Sequence, residues 1–134
     1  MTRERFAEQR DDLRNAAARL RQSLAEPETD IVRDAVIQRF EFTFEIVWKT
    51  LKLYLEHQGD ESGGPRATFK NAFVEGLIRS AEEADVWFRM LEDRNLASHT
   101  YREELAREIY ARIAREYEPL LSEMAGRIEA LTWD

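Results

Sequence analysis

The residues best suited to chemistry in this sequence are Arg94, Asn95, His99 and Tyr101, within the run Arg94-Asn95-Leu96-Ala97-Ser98-His99-Thr100-Tyr101. An arginine guanidinium offers phosphate a planar, bidentate fork of donors. A histidine titrates near neutrality and relays protons. A tyrosine hydroxyl donates a hydrogen bond or accepts a modification. Together these groups suit work on a phosphodiester without a metal. Taken alone, they also fit an interface histidine beside a structural ion pair.

Whether Arg94 and His99 act on one phosphate depends on the backbone between them. On an unbroken helix they would point about 140° apart, at about 100° per residue. Thr100 with Glu103 has the form of a capping box and predicts that a new helix opens there. A turn around Ser98 would then bring both side chains to one mouth, at a junction held by rigid helices. Arg94 also continues an apolar stripe of Trp87, Met90 and Leu91. A guanidinium there needs solvent, an anion or a partner. Glu41 and Glu45, on another apolar helix, are the candidates for that partner.

The positioning elements read as helices. Phe6, Leu13, Ala17, Leu20 and Leu24 make one stripe on a first helix from Thr2 to Ala25, closed by Glu26-Pro27-Glu28-Thr29. Thr29 or Asp30 caps a second, ending near Gln58, with Gly59 as a left-handed terminator. Its stripe is Val32, Val36, Phe40, Phe44, Val47, Leu51 and Leu55, and Phe42, Ile46, Trp48, Leu53 and Tyr54 add apolar area on other faces. So wide an apolar surface implies a central helix or one with a face for a partner. Asp60-Glu61-Ser62-Gly63-Gly64 reads as a flexible connection, Pro65 to about Gly76 as a short inserted helix, and Ser80 with Glu83 as the cap of a fourth helix. In a fifth, Leu105, Ile109, Ile113, Tyr117, Leu120, Met124, Ile128 and Leu131 keep phase through Pro119, as a kinked helix would; a break at Glu118 is the alternative. The expected fold is all-α: an up-and-down antiparallel four-helix-type bundle with a short inserted helix, forming one domain over residues 1–134.

Composition narrows the function classes. The chain has 134 residues, 43% hydrophobic, with three Trp, seven Phe and four Tyr, enough for a core and against disorder. It has no cysteine, which excludes disulfides and thiolate zinc sites and points to the cytoplasm. Neither a signal peptide nor a membrane-spanning run is read in it. A net charge of -7 argues against a general positive field for nucleic acid, though not against a local basic site. Two histidines in no H-x3-H pair make a metal site improbable, so no metal or cofactor is expected. His57 reads as a helix-end cation and Glu82-Glu83-Asp85 as complement to a helix dipole. Trp48 and Trp87 read as core or dimer-interface residues more readily than as a base-stacking platform.

The run from Arg94 to Tyr101 has the form R-x4-H-x-Y, with Asn95 directly after the arginine. It resembles the signature of HEPN domains (higher eukaryotes and prokaryotes nucleotide-binding). Arg39-Phe40-Glu41-Phe42-Thr43-Phe44-Glu45, with Trp48-Lys49-Thr50-Leu51, is similar to the second helix of the HEPN branch called nucleotidyltransferase substrate-binding protein. Leu91-Glu92-Asp93-Arg94-Asn95 and Glu104-Leu105-Ala106 fit that branch too, so the resemblance spans residues 5 to 125.

The resemblance implies a helical bundle, a homodimer whose motifs face one another, and a separate minimal nucleotidyltransferase as partner. It further implies a toxin–antitoxin pair in which the HEPN chain is a metal-independent ribonuclease, silenced by AMP transfer to Tyr101. On that footing His99 and Arg94 are catalytic, Asn95 and Tyr101 support them, and the substrate is RNA, tRNA being one candidate. Lys49 and Lys52 are possible contributors at the mouth. The alternative is a non-catalytic subunit that complexes with the nucleotidyltransferase and presents its substrate.

Overall fold

The computed structural model describes residues 2–61 and 63–134; Ser62, part of the expected connection, lies outside the described residues. The chain is an all-α bundle with no strand among the described residues. Its elements are α1 (Thr2–Leu24), α2 (Asp30–His57), α3 (Pro65–Val74), α4 (Ala81–Leu96), a 3-10 turn (Ala97–His99), α5 (Glu103–Arg112), a π-helical turn (Ile113–Tyr117) and α6 (Glu118–Glu129).

Local chemistry sets most of these ends. Thr29, rather than Asp30, caps α2, its Oγ1 accepting the Val32 N–H at 3.1 Å. At the other end Gly59 takes φ +100° and the Asp60 N–H reaches back to the Leu55 carbonyl, closing a left-handed terminator. Gly76, at φ +83°, ends α3 in the same way, two residues past Val74. Ser80 Oγ accepts the Glu83 N–H at 3.0 Å at the start of α4.

α2 is central: it packs on α1, α3, α4, α5 and α6. Val36, Phe40, Phe44, Val47 and Leu51 along it are fully buried. Phe40 stacks on Tyr117 at 5.5 Å, Phe44 meets Phe69 edge-on at 5.7 Å, and Phe69 packs on Trp87 at 5.2 Å. Rings from α2, α3, α4 and the π turn thus share one core, where truncating a single ring to alanine costs about 3–5 kcal/mol.

Two expectations are corrected. Thr100 does not cap α5: its Oγ1 donates to the Ala97 carbonyl at 3.0 Å and so closes the preceding 3-10 turn, while Arg102, without a side-chain bond, is the cap residue. The same hydroxyl cannot serve both turns, and the earlier one takes it. Near Pro119 the helix neither breaks nor drops phase. The Glu118 N–H bonds the Ile113 carbonyl five residues back, a π turn placed just ahead of the proline, and the backbone on both sides stays right-handed helical. That wider turn keeps Ile109, Ile113, Tyr117 and Leu121, each four apart, on the core side; Leu121, not Leu120, is the buried residue.

Candidate active site

The motif straddles the end of α4, the 3-10 turn and the loop before α5. What aims it is the residue in front. Asp93 is 5% exposed, and its carboxylate accepts two bonds from Arg112, Nε–H at 2.6 Å and Nη2–H at 2.9 Å. The hydroxyl of the fully buried Tyr117 donates to the same carboxylate at 2.5 Å. Burial and the Asp93 charge hold the Tyr117 phenol well above its ordinary range, and the Asp93 hydrogen bond raises Arg112. With α4 pinned at Asp93, the next side chain projects about 100° around the helix.

That side chain is Arg94, and it meets α2. Its guanidinium donates to Glu45 through Nη2 and to the Asn95 side-chain oxygen through Nη1 at 3.3 Å. Lys49 also pairs with Glu45, at 3.3 Å. Of the two expected acidic partners, Glu45 makes the contact. Glu41 feels the Arg94 charge without a hydrogen bond to it; burial, outweighing that cation, pushes its carboxyl above the usual range. Arg94 has five donors in all, so the pairing with Glu45 leaves others for an anion.

His99 and Tyr101 are exposed, Tyr101 at 75%. The Tyr101 hydroxyl lies 3.4 Å from His99 Nδ1, a long hydrogen bond, and the rings meet edge-on with centroids 5.9 Å apart. The Arg102 guanidinium lies 5.9 Å from the Tyr101 ring. Where Nδ1–H donates to the phenol oxygen, Nε2 is unprotonated and can accept a proton.

The four expected residues therefore sit at one junction as two bonded pairs, Arg94 with Asn95 and His99 with Tyr101. Among the described residues no hydrogen bond links the pairs. Arg94 and Asn95 border a hollow shared with Arg66 and Lys70, whereas Tyr101 borders another with Asp34 and Glu41. The turn expected around Ser98 is present, but the single mouth is not formed within one chain. Lys49 and Lys52 lie at a separate hollow with Trp48, whose ring is about 6 Å from each ammonium. His57 stacks on Trp133 at 3.9 Å and bonds the Asp134 carbonyl, so it ties down the C-terminal segment. Glu83 does more than complement a dipole, accepting from Arg127 at 2.7 Å and Trp87 at 3.1 Å.

Sequence reasoning passed over the Asp93–Arg112–Tyr117 cluster. An aspartate three residues beyond Met90, on the buried side of α4, was the available signal. Among the described residues no three His, Asp or Glu side chains converge as metal ligands would, and no helix is long and apolar enough to cross a membrane.

Comparison with known proteins places these features in a family. A crystal structure of a Thermus thermophilus protein superposes with a TM-score of 0.79 at 41% identity, over 87% of this chain and 98% of that one. A Haemophilus influenzae protein described as probable ribonuclease HepT is 34% identical over a stretch covering 62% of this chain and 61% of its own length. The family model described as nucleotidyltransferase substrate binding protein like matches residues 8–130. The chain belongs to that family, a HepT-like branch of the HEPN proteins.

Proposed function

We propose that residues 1–134 are one HEPN-like helical domain acting in the cytoplasm as a metal-independent endoribonuclease, the toxin of a pair with a minimal nucleotidyltransferase. The observation that carries this reading is the arrangement of Arg94 and His99 about one helix junction, fixed from behind by Asp93, with both side chains open to solvent or partly so. The H. influenzae relative's description as a probable ribonuclease supports it.

In this reading His99 takes the proton from an RNA 2′-hydroxyl as that oxygen forms a bond to the adjacent phosphorus. The bond from phosphorus to the 5′ oxygen breaks, and the 5′ oxygen leaves with a proton. The products are a 2′,3′-cyclic phosphate end and a 5′-hydroxyl end. Arg94 stabilises the charge gathering on the phosphoryl oxygens. Asn95 orients Arg94 through its side-chain oxygen. Since one chain leaves Arg94 and Tyr101 on separate hollows, a homodimer with facing motifs supplies the common cleft. Tyr101, whose hydroxyl is exposed, accepts AMP from the partner enzyme: its oxygen bonds the ATP α-phosphorus and pyrophosphate leaves. The added phosphodiester places a negative charge against His99 and blocks the cleft.

The family description and the net charge of -7 favour a second reading, a non-catalytic subunit that presents substrate to the nucleotidyltransferase. One assay separates them. Unmodified protein is incubated with total tRNA and a short single-stranded RNA in EDTA, beside His99→Ala. Cleavage by the wild type alone, leaving cyclic phosphate ends, is the expected result. Absence of cleavage by protein shown by mass spectrometry to carry no AMP would overturn the ribonuclease reading.

A further inference from the structure

The hollow beside Arg94 differs in charge from the other surfaces around the motif. Arg66 and Lys70 of α3 line it opposite Arg94 and Asn95 of α4, with Leu91 in its wall, and no carboxylate borders it. The hollow at Tyr101 is bordered by Asp34 and Glu41, and the groove between α1 and α2 by Asp12 and Glu45. Arg14 and Arg21 also line a hollow without a carboxylate, but both are ion-paired, to Asp11, Glu129 and Glu118. Arg66 and Lys70 have no ion pair among the described residues. In a chain with 27 acidic residues against 20 basic ones, two unpaired cations one helical turn apart need an explanation.

Like charges at i and i+4 on a helix repel and weaken it. The arrangement becomes favourable when an anion lies against both. Arg66 is also held in place: its guanidinium sits 5.1 Å from the Phe88 ring, a contact through the flat face that leaves its N–H edge free. The first turn of α3 adds partial positive charge of the same sign.

We infer that this hollow cradles the RNA backbone beside the scissile phosphate, Arg66 and Lys70 holding a neighbouring phosphate while Arg94 reaches the one that is cut. The inference rests on the ribonuclease reading and adds to it a direction of approach. The strand runs over the start of α3, because Asp34 and Glu41 repel it from the Tyr101 side. It also resolves how an acidic protein holds a polyanion: the attraction is local and confined to α3 and α4.

The test uses His99→Ala protein and a fluorescent single-stranded RNA, with anisotropy read across a salt series. Arg66→Ala with Lys70→Ala weakens binding about tenfold and lowers the salt slope by about 1.4, at about 0.7 per phosphate lost on a single strand. Removing the same charge elsewhere, as Arg79→Ala with Arg115→Ala, leaves both quantities unchanged, and Arg66→Lys with Lys70→Arg restores most of the affinity. With His99 intact, the alanine pair raises KM and leaves kcat near wild type. Equal loss in both alanine pairs overturns the cradle in favour of diffuse charge. An unchanged Kd while His99-dependent cleavage persists overturns the cradle and leaves the ribonuclease reading standing. Wild-type protein that neither binds nor cleaves RNA overturns both. All four mutated side chains are exposed, and circular dichroism confirms that each variant folds.

Discussion

The Asp93 carboxylate and the Arg112 guanidinium form a two-pronged bond, 2.6 and 2.9 Å, that joins the end of α4 to the end of α5. Tyr117, one π turn further on, donates to the same carboxylate from inside the core. Asp93→Ala leaves a partly buried guanidinium and a buried hydroxyl without their acceptor, a loss of about 3 kcal/mol. Tyr117→Phe removes one neutral donor and costs about 1.5 kcal/mol. Urea titration of the two variants checks the ordering. Equal midpoints would mean that the ion pair contributes nothing beyond the phenol bond.

Alkaline conditions probe the same cluster. Burial together with the Asp93 charge raises the Tyr117 phenol above its unfolded value of about 10. The native state therefore keeps a proton that the unfolded state releases, and stability falls as pH climbs above about 10. Phenolate absorbance should show one of the four tyrosines failing to ionise until the protein unfolds. Tyr117→Phe removes that late step. If all four ionise together below the unfolding transition, the buried hydrogen bond is not made in solution.

Much of this architecture is legible in the sequence because it is written locally. Thr29, Ser80, Gly59 and Pro27 act on residues within one turn of themselves, and the α2 stripe follows a 3.6 period. The failures share a cause. Thr100 has the right spacing for a cap, yet the 3-10 turn before it takes its hydroxyl, and that competition is tertiary in origin. The π turn ahead of Pro119 is visible only as three successive steps of four between buried residues. For the site, the motif gives residue types, whereas its orientation depends on Asp93 and its distant partners Arg112 and Tyr117. The split of the four residues between two hollows follows from where α2 and α3 pack, which no local spacing records.

Arg94 is held by Glu45 in the resting protein, so anion binding there is a competition between a fixed carboxylate and a phosphate. Glu45→Gln keeps a hydrogen-bond acceptor and removes the competing charge. RNA binding by the His99→Ala, Glu45→Gln double variant should tighten several-fold over His99→Ala alone, about 1 kcal/mol, an order appropriate to a partly exposed pair. Arg94→Lys retains the charge and loses the planar fork. It should keep RNA affinity within about threefold and lower kcat about a hundredfold, the scale of a lost transition-state donor. Weaker binding in the Glu45→Gln variant would show instead that Glu45 serves to aim Arg94.

Glu83 supplies an acid-side prediction far from the motif. Its burial alone would raise the carboxyl, but hydrogen bonds from Arg127, Trp87 and the Arg79 backbone outweigh that and hold it below the ordinary range. Its contribution to stability is thus present above the unfolded value of about 4.3 and is lost as pH falls through the lower native value. Thermal midpoints of the wild type should fall more steeply below about pH 4 than those of Glu83→Gln, which has no charge to lose. At pH 7 the variant should be less stable by about 3 kcal/mol, since Arg127 stays nearly buried without its partner. Parallel acid limbs for the two proteins would sink this account.

Tyr101 separates catalysis from its control. Three-quarters of its surface is exposed and its hydroxyl makes only the long contact to His99. Tyr101→Phe should therefore leave stability within about 0.5 kcal/mol of wild type, as at other exposed sites. His99 keeps its place in the 3-10 turn, closed beside it by the Thr100 bond to Ala97, so RNA cleavage should persist within about tenfold. The same variant offers no phenol oxygen to a nucleotidyltransferase. Incubated with the partner enzyme and ATP, wild-type protein should gain the mass of AMP and lose nuclease activity, while Tyr101→Phe should do neither. Modification of Tyr101→Phe at another residue, with loss of cleavage, would move the control point elsewhere on the chain. Loss of cleavage in unmodified Tyr101→Phe would mean that the phenol is part of the catalytic machinery, positioning His99 through Nδ1.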